Sequence, residues 1–259
     1  MKGKIALVTG CTSGIGLGIA EHLASKGADI MLNGFGDEGE IKELVHDIES
    51  KYKVRAKHFR ADMAVPSSIE DMMDNIISEF GGVDILVNNA GIQHVSPIED
   101  FPSDKWEAII RIDLIASFYT IKKVIPIMKK NLWGRIINIA SAHALVASPY
   151  KSAYVAAKHG LLGMTKSIAL EVAEFGITAN AICPGYVKTP LVLGQVADTA
   201  KARSMTEAEV IRDVILGSQA TKKFVEIDQI ASLVGFLCGN SAASITGSAL
   251  PIDGGWTAH

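Results

Sequence analysis

Short apolar runs of strand length alternate with longer stretches of helical periodicity along almost the whole chain. The runs lie at residues 5–9, 29–33, 55–60, 85–87, 135–139, 178–183 and 249–252. Between them, apolar residues recur at one-face helical spacing after Ile15, over 38–52, 67–80 and 104–130 (with Pro126 inside), from Tyr154 to about Phe175, and over 227–237. Strands joined by helices cannot pair as hairpins. They lie side by side in parallel, and their apolar residues need helices over both faces. The pattern predicts an α/β fold, a single doubly wound parallel sheet with helices on both faces. No repeat, low-complexity tract or linker interrupts it, so residues 1–259 read as one domain, with a lid insertion after the sixth strand at about 186–220. Capping boxes are expected at Ser67 to Glu70 and at Thr206 to Glu209.

Such sheets bind ligands beyond the carboxyl ends of their strands, so the turns carrying Gly10, Asn88, Ser141 and Pro184 should meet in one crevice. The first turn reads Thr9-Gly10-Cys11-Thr12-Ser13-Gly14-Ile15-Gly16, between a strand and a helix start. Its glycines let the backbone approach a pyrophosphate, and the helix N-terminus offers unpaired N–H groups with a favourable dipole. A tight turn needing positive φ at Gly10 is the plainer alternative.

Tyr154 and Lys158 stand four residues apart in an Ala-rich run, SAYVAAKHG. On a helix they share one face, with Cβ atoms roughly 5–6 Å apart. A phenol is a poor base near neutral pH, and an ammonium one turn away favours the phenolate. Ser141, at the end of an apolar run, adds a hydroxyl that can bond a substrate oxygen. The three suit a site that moves a proton on and off an alcohol. A helix that merely carries Tyr and Lys is the bland alternative.

The chain has 259 residues, 48% hydrophobic, enough for a large core. Net charge is −3 with the signs interleaved, which leaves no footprint for nucleic acid and no polybasic membrane anchor. Cys11, Cys183 and Cys238 are scattered, without metal-ligand spacing, and suit buried positions in a reducing compartment. MKGKIALVTG leads straight into the first strand and no run of 18 apolar residues occurs, so a cytoplasmic protein without leader or membrane span is expected.

In their order and spacing, TGCTSGIG at 9–16, NNAG at 88–91, Ser141 with Tyr154-V-A-A-Lys158, and Pro184-Gly185 resemble the short-chain dehydrogenase/reductase family across the whole chain. The resemblance implies a Rossmann-type sheet, nicotinamide-dependent hydride transfer and a homotetramer. It implies Tyr154 as general acid/base, Ser141 as ligand of the substrate oxygen, and Lys158 as holding the nicotinamide ribose while lowering the pKa of Tyr154. Gly10, Thr12, Ser13, Gly14, Ile15, Gly16, Asn89, Pro184, Gly185, Val187 and Thr189 fall on the cofactor-binding segments. Asp113 departs from the family, standing where an asparagine is usual. It either takes over that residue's part beside Lys158 or makes a local helix contact.

For the cofactor, NADP would call for Arg or Lys in the glycine loop or after the second strand. Thr12, Ser13, Asn33, Gly34 and Phe35 include neither, and Asp37 follows nearby. NAD is expected, with Phe35 against the adenine and Asp62 and Met63 on its other side. For the substrate, Gln93, His143 and Lys151 flank the catalytic groups and can grip a small carboxylate. Gln195 in the insertion can close over it, and Trp256 can wall off a methyl group. The combination NNAGIQH, SAHALVASPYKSAYVAAKHG and DGGWTAH is similar to family members that oxidise (R)-3-hydroxybutyrate to acetoacetate with NAD. A 3-oxoacyl thioester reductase using NADPH, or a catalytically silent dinucleotide-binding module, are the alternatives.

Overall fold

The computed structural model describes residues 1–189, 192–193, 196–197, 200 and 204–258. Its strands are β1 (Ile5–Val8), β2 (Asp29–Leu32), β3 (Ala56–His58), β4 (Ile85–Asn88), β5 (Gly134–Ile139), β6 (Ile177–Pro184) and β7 (Ala249–Ile252). They pair in parallel in one sheet, in the order β3-β2-β1-β4-β5-β6-β7. Chain direction across the sheet reverses between β1 and β4. That switch point opens a crevice between the turns that follow them.

The helices are α1 (Gly14–Ser25), α2 (Glu38–Tyr52), α3 (Pro66–Phe80), α4 (Ser103–Ile110), α5 (Ala116–Asn131), α6 (Ser152–Val172), α7 (Glu207–Glu209, continued by a π segment, Val210–Ile215) and α8 (Ile227–Leu237). Side chains alternate across a strand, so β1 feeds two cores. Ala6 and Val8 pack with Ile19 and Leu23 of α1, Ile48 of α2, and Ile230 and Val234 of α8. Leu7 packs on the other face with Ile69 and Met73 of α3, Val124 and Met128 of α5, and Ala169 of α6. Both faces being covered, β4, β5 and β6 are buried along their whole length.

A buried polar chain ties the second layer to the sheet. Thr120 Oγ1 donates to Asn88 Oδ1 at 2.7 Å, Asn88 Nδ2 to Asn138 Oδ1 at 2.8 Å, and Asn138 Nδ2 to Thr165 Oγ1 at 2.8 Å. Fully satisfied networks of this kind fix register, here of α5, β4, β5 and α6 directly beneath the crevice.

One local expectation fails and another gains detail. The capping box at Ser67 does not form: α3 starts at Pro66 after Val65, and Ser68 Oγ instead accepts from Asp62 N at 3.0 Å. Proline suits a first helical position because its missing N–H is not needed there. The helical run expected over 104–130 does form, from Ser103 to Asn131, with a π turn, Arg111–Ile115, inside it between α4 and α5. The turn carries Asp113, which is 1% exposed. The Thr206 to Glu209 box does form, with both reciprocal bonds present. No helix among the described residues is long and apolar enough to cross a membrane. All three cysteines are buried and unbridged.

Candidate active site

A cavity of about 500 Å³ lies beyond the carboxyl ends of β1, β4, β5 and β6. Gly10, Ser13, Gly14, Ile15 and Gly16 form one side of it, Asn89 and Gln93 another, and Ser141, His143, Lys151, Tyr154 and Lys158 a third. Pro184, Gly185, Val187, Thr189 and Trp256 close the rest.

The glycine turn is built for close approach. Gly10 sits at φ +60 with Ala90 so near that a Cβ would collide with its backbone, while Gly14, at φ +58, faces open space. Asn89 spends its amide on this turn, Nδ2 donating to the carbonyls of Thr9 and Gly10, both at 2.9 Å. Thr9 Oγ1 in turn accepts from the N–H groups of Asn89 and Ala90. The buried Asn33 spans to Phe59 and Ala61 carbonyls and to Gly10 N. Among the described residues no side chain caps the α1 N-terminus, which leaves its first N–H groups to a ligand.

Tyr154 and Lys158 rise from the first turns of α6. Lys158 Nζ donates to the Ile139 carbonyl at 3.1 Å, stands 3.2 Å from Asp113 Oδ2, and lies 5.4 Å from the centroid of the Tyr154 ring. Burial works against the Lys158 ammonium, but Asp113 and then Tyr154 outweigh it and hold its pKa above the ordinary value. For Asp113 burial is the larger influence and pushes the carboxyl up, against the pull of Lys158 and the Ile92 N–H. Burial likewise raises the Tyr154 phenol; Lys158 pulls it down, Asp113 pushes it up, and the net direction is upward. The sequence expectation of a phenol made more acidic by Lys158 alone omits both opposing influences. Ser141 Oγ accepts from His143 N at 3.1 Å and lies 3.4 Å from His143 Nδ1, so its hydroxyl is held at the cavity wall beside Tyr154.

The groups expected to hold a carboxylate come together beside this set. His143 Nε2 is 2.9 Å from Ser148 Oγ, and its ring meets Tyr154 and Trp256 edge-on at 5.9 and 4.9 Å. Burial, then Lys151 and His159, lower its pKa to about 4, so the imidazole is neutral and Lys151 supplies the positive charge. Lys151 Nζ donates to Tyr186 Oη at 3.5 Å. Thr12, Phe35, Asp62 and Met63 do not line the cavity. Thr12 Oγ1 donates to the Phe35 carbonyl at 2.8 Å, the Phe35 ring is exposed, Asp62 Oδ1 caps its own turn at Ala64 N, and Met63 is buried in the core. Gln195 lies outside the described residues.

Residues 10–257 match the family model described as enoyl-(acyl carrier protein) reductase, which covers short-chain dehydrogenase/reductase proteins. The chain belongs to the short-chain dehydrogenase/reductase family. It is 57% identical over 256 residues to the D-beta-hydroxybutyrate dehydrogenase of Rhizobium meliloti (strain 1021), covering 99% of each chain. It is 51% identical to the D-beta-hydroxybutyrate dehydrogenase of Cupriavidus necator, over the full length of both. In structure it resembles L-sorbose reductase from Gluconobacter frateurii, solved with NADPH and L-sorbose. The TM-score is 0.92 at 31% identity, covering 98% of this chain and 96% of that one.

A short-chain dehydrogenase/reductase uses a nicotinamide dinucleotide, and this chain's donor set fits one: a glycine cradle with open space at Gly14 and an uncapped helix N-terminus suit a pyrophosphate. One residue of this dehydrogenase/reductase site, Tyr186, escaped the sequence reading. Tyr186 stacks on Trp256, and its N–H is held by the buried Gln219, whose Nε2 donates to Lys223 O at 2.6 Å. Its place two residues past Pro184 was the available signal. Asp113 was noticed in the sequence, but nothing local told that the helix turns it inward.

Proposed function

We propose that the chain oxidises (R)-3-hydroxybutyrate reversibly to acetoacetate, with NAD as cofactor. The observation that carries this reading is the convergence of Lys151, His143, Tyr186 and Trp256 on the cavity wall beside Ser141 and Tyr154. A four-carbon hydroxy acid needs one cation for its carboxylate, an apolar wall for its methyl group and an acid/base group at its hydroxyl. The 57% identity to a D-beta-hydroxybutyrate dehydrogenase supports the same choice.

In this reading Lys151 and Gln93 fix the carboxylate, with Gln195 closing over it, and Trp256 shields the methyl end. Ser141 donates to the C3 oxygen and Tyr154 takes the hydroxyl proton, its charge steadied by Lys158. Gly10, Ser13, Gly14, Ile15 and Gly16 would cradle the pyrophosphate, Lys158 the nicotinamide ribose, and Pro184 to Thr189 the nicotinamide side. Thr12 and Phe35 would flank the adenosine, with Asp62 and Met63 opposite. The cofactor's nicotinamide ring, when bound, supplies the hydride acceptor.

NAD is favoured by the uncharged surroundings of its ribose: Thr12, Ser13, Asn33, Gly34 and Phe35 offer no cation to a 2′-phosphate. Asp37, which follows Phe35 by two residues, is occupied as the cap of α2, accepting from Gly39 and Glu40 N–H groups. One domain with a lid at about 186–220, a cytoplasmic setting and a homotetramer complete the reading. The purified protein should reduce NAD on addition of (R)-3-hydroxybutyrate, much faster than with NADP, the (S) enantiomer or a longer hydroxy acid. Reduction of a 3-oxoacyl thioester by NADPH in place of that activity would replace this reading. Cofactor binding without turnover of any hydroxy acid or ketone would reduce the protein to a silent nucleotide-binding module.

A further inference from the structure

Asp113 sits on the π turn between α4 and α5, almost wholly buried, at the floor of the cavity. Its Oδ1 accepts from Ile92 N at 2.8 Å. Its Oδ2 is 3.2 Å from Lys158 Nζ, and no well-aligned hydrogen bond reaches that oxygen among the described residues. Gly91 makes room for the carboxylate, since a Cβ there would strike it. Lys158 is anchored in turn by the Ile139 carbonyl, one helical turn from Tyr154. A buried carboxylate this close to a buried ammonium cancels much of the ammonium's field at a third group beside them.

We propose that Asp113 sets the working pH of Tyr154 by neutralising Lys158, so that the buried trio is uncharged with the phenol protonated and carries one negative charge once the phenolate forms. Asp113 is a positioning residue: it acts through Lys158 and does not touch substrate. In the oxidation the phenolate accepts the hydroxyl proton and NAD would take the C3 hydride, so this direction rises toward alkaline pH. In the reverse direction the phenol donates that proton, and its persistence favours reduction near neutrality. The inference rests on Tyr154 as the acid/base group.

The other groups facing Tyr154 do not replace this effect. Ser141, through its hydrogen bond, pulls the phenol down and Tyr186 pushes it up, both less strongly than Asp113; the Cys183 thiol is pushed up to about 11 by burial, and His143 is neutral. From its own segment comes Lys151, turned to Tyr186. Asp253, beyond β7, is held by the N–H groups of Gly255 and Thr257 and by the Thr257 hydroxyl. The upward direction for Tyr154, to which Asp113 contributes, agrees.

Asp113→Asn keeps the size of the side chain and an acceptor for Ile92 N–H but removes the charge. In the cofactor-free protein, the Tyr154 phenolate is read by ultraviolet difference titration against the same background carrying Tyr154→Phe. It should appear about one pH unit lower or more in Asp113→Asn. The alkaline rise of hydroxy-acid oxidation should move by the same amount, so that at pH 7 the rate, as a fraction of its plateau, grows about tenfold. Asp113→Ser, a second neutral variant, should act alike if Asp113→Asn folds poorly. A phenolate that titrates unmoved in the neutral variants overturns the proposal. So does a rate lowered at every pH with its inflection in place, which would make Asp113 a packing residue only. Should no variant, nor the parent, oxidise a hydroxy acid, the proposed reaction falls while the titration still decides the part of Asp113.

Discussion

The indole of Trp256 lies flat against the ring of Tyr186, with 5.6 Å between centroids and 3° between planes. A residue near the C-terminus is thereby joined to the turn after β6, and the edge of His143 closes on the indole from the turn after β5. Three distant parts of the chain make one aromatic wall, and the lysine at its rim, Lys151, bonds the Tyr186 hydroxyl. Removing Trp256 should loosen all three. Trp256→Ala is expected to cost about 3 kcal/mol of stability, read by denaturant unfolding, and to raise KM for the hydroxy acid more than it lowers kcat. An unchanged KM would detach this wall from substrate binding.

Tyr154→Phe removes the only atom of that side chain able to exchange a proton and keeps its ring against His143. Turnover should fall by about a hundredfold or more. Calorimetric titration with NAD should give an affinity within a few-fold of the parent. A variant that retains most of its turnover would move the acid/base role elsewhere.

Lys151→Ala withdraws the positive charge from the wall while leaving the Tyr154, Lys158 and Asp113 set in place. Loss of one charge-assisted bond is worth about 1.5–3 kcal/mol, so KM should rise by about tenfold or more, with a smaller change in kcat. The loss should be largest for substrates carrying a carboxylate and slight for an uncharged 3-hydroxy alcohol. Equal losses for both would dissociate Lys151 from the acid.

His143 imposes a pH dependence on folding. Its pKa is lowered from 6.5 to about 4 by burial first, then by Lys151 and His159. The unfolded chain therefore binds the proton more readily, and stability is present above the unfolded value of 6.5 and lost as pH falls toward 4. The full loss attached to this group is about 3 kcal/mol. Urea unfolding at pH 7 and pH 4.5 should show a stability drop in the parent that is clearly smaller in His143→Gln. Parallel drops in both proteins would assign the effect to other groups.

The sheet and its crevice could be read from residue patterns because strand and helix periodicities are local properties of the chain. Apolar runs such as 135–139 and 178–183 fall on β5 and β6 within a residue or so at each end. The turn residues that end the strands, Gly10, Asn88, Ser141 and Pro184, mark where a parallel sheet gathers its ligands. Spacing alone likewise put Tyr154 and Lys158 on one helical face. What spacing does not encode is the field at a buried atom, which depends on side chains from distant segments. Burial and Asp113 turn the Tyr154 phenol upward against Lys158, and burial, with Lys151 and His159, empties His143 of its charge. Asp113 lies buried on a π segment that residue spacing does not mark, and Tyr186 meets Trp256 because β6 and the C-terminal segment lie side by side. Sequence determined the elements and their order. Tertiary structure decided the charges, because electrostatic energy depends on distance and on exclusion of water, and both are fixed only when the layers close.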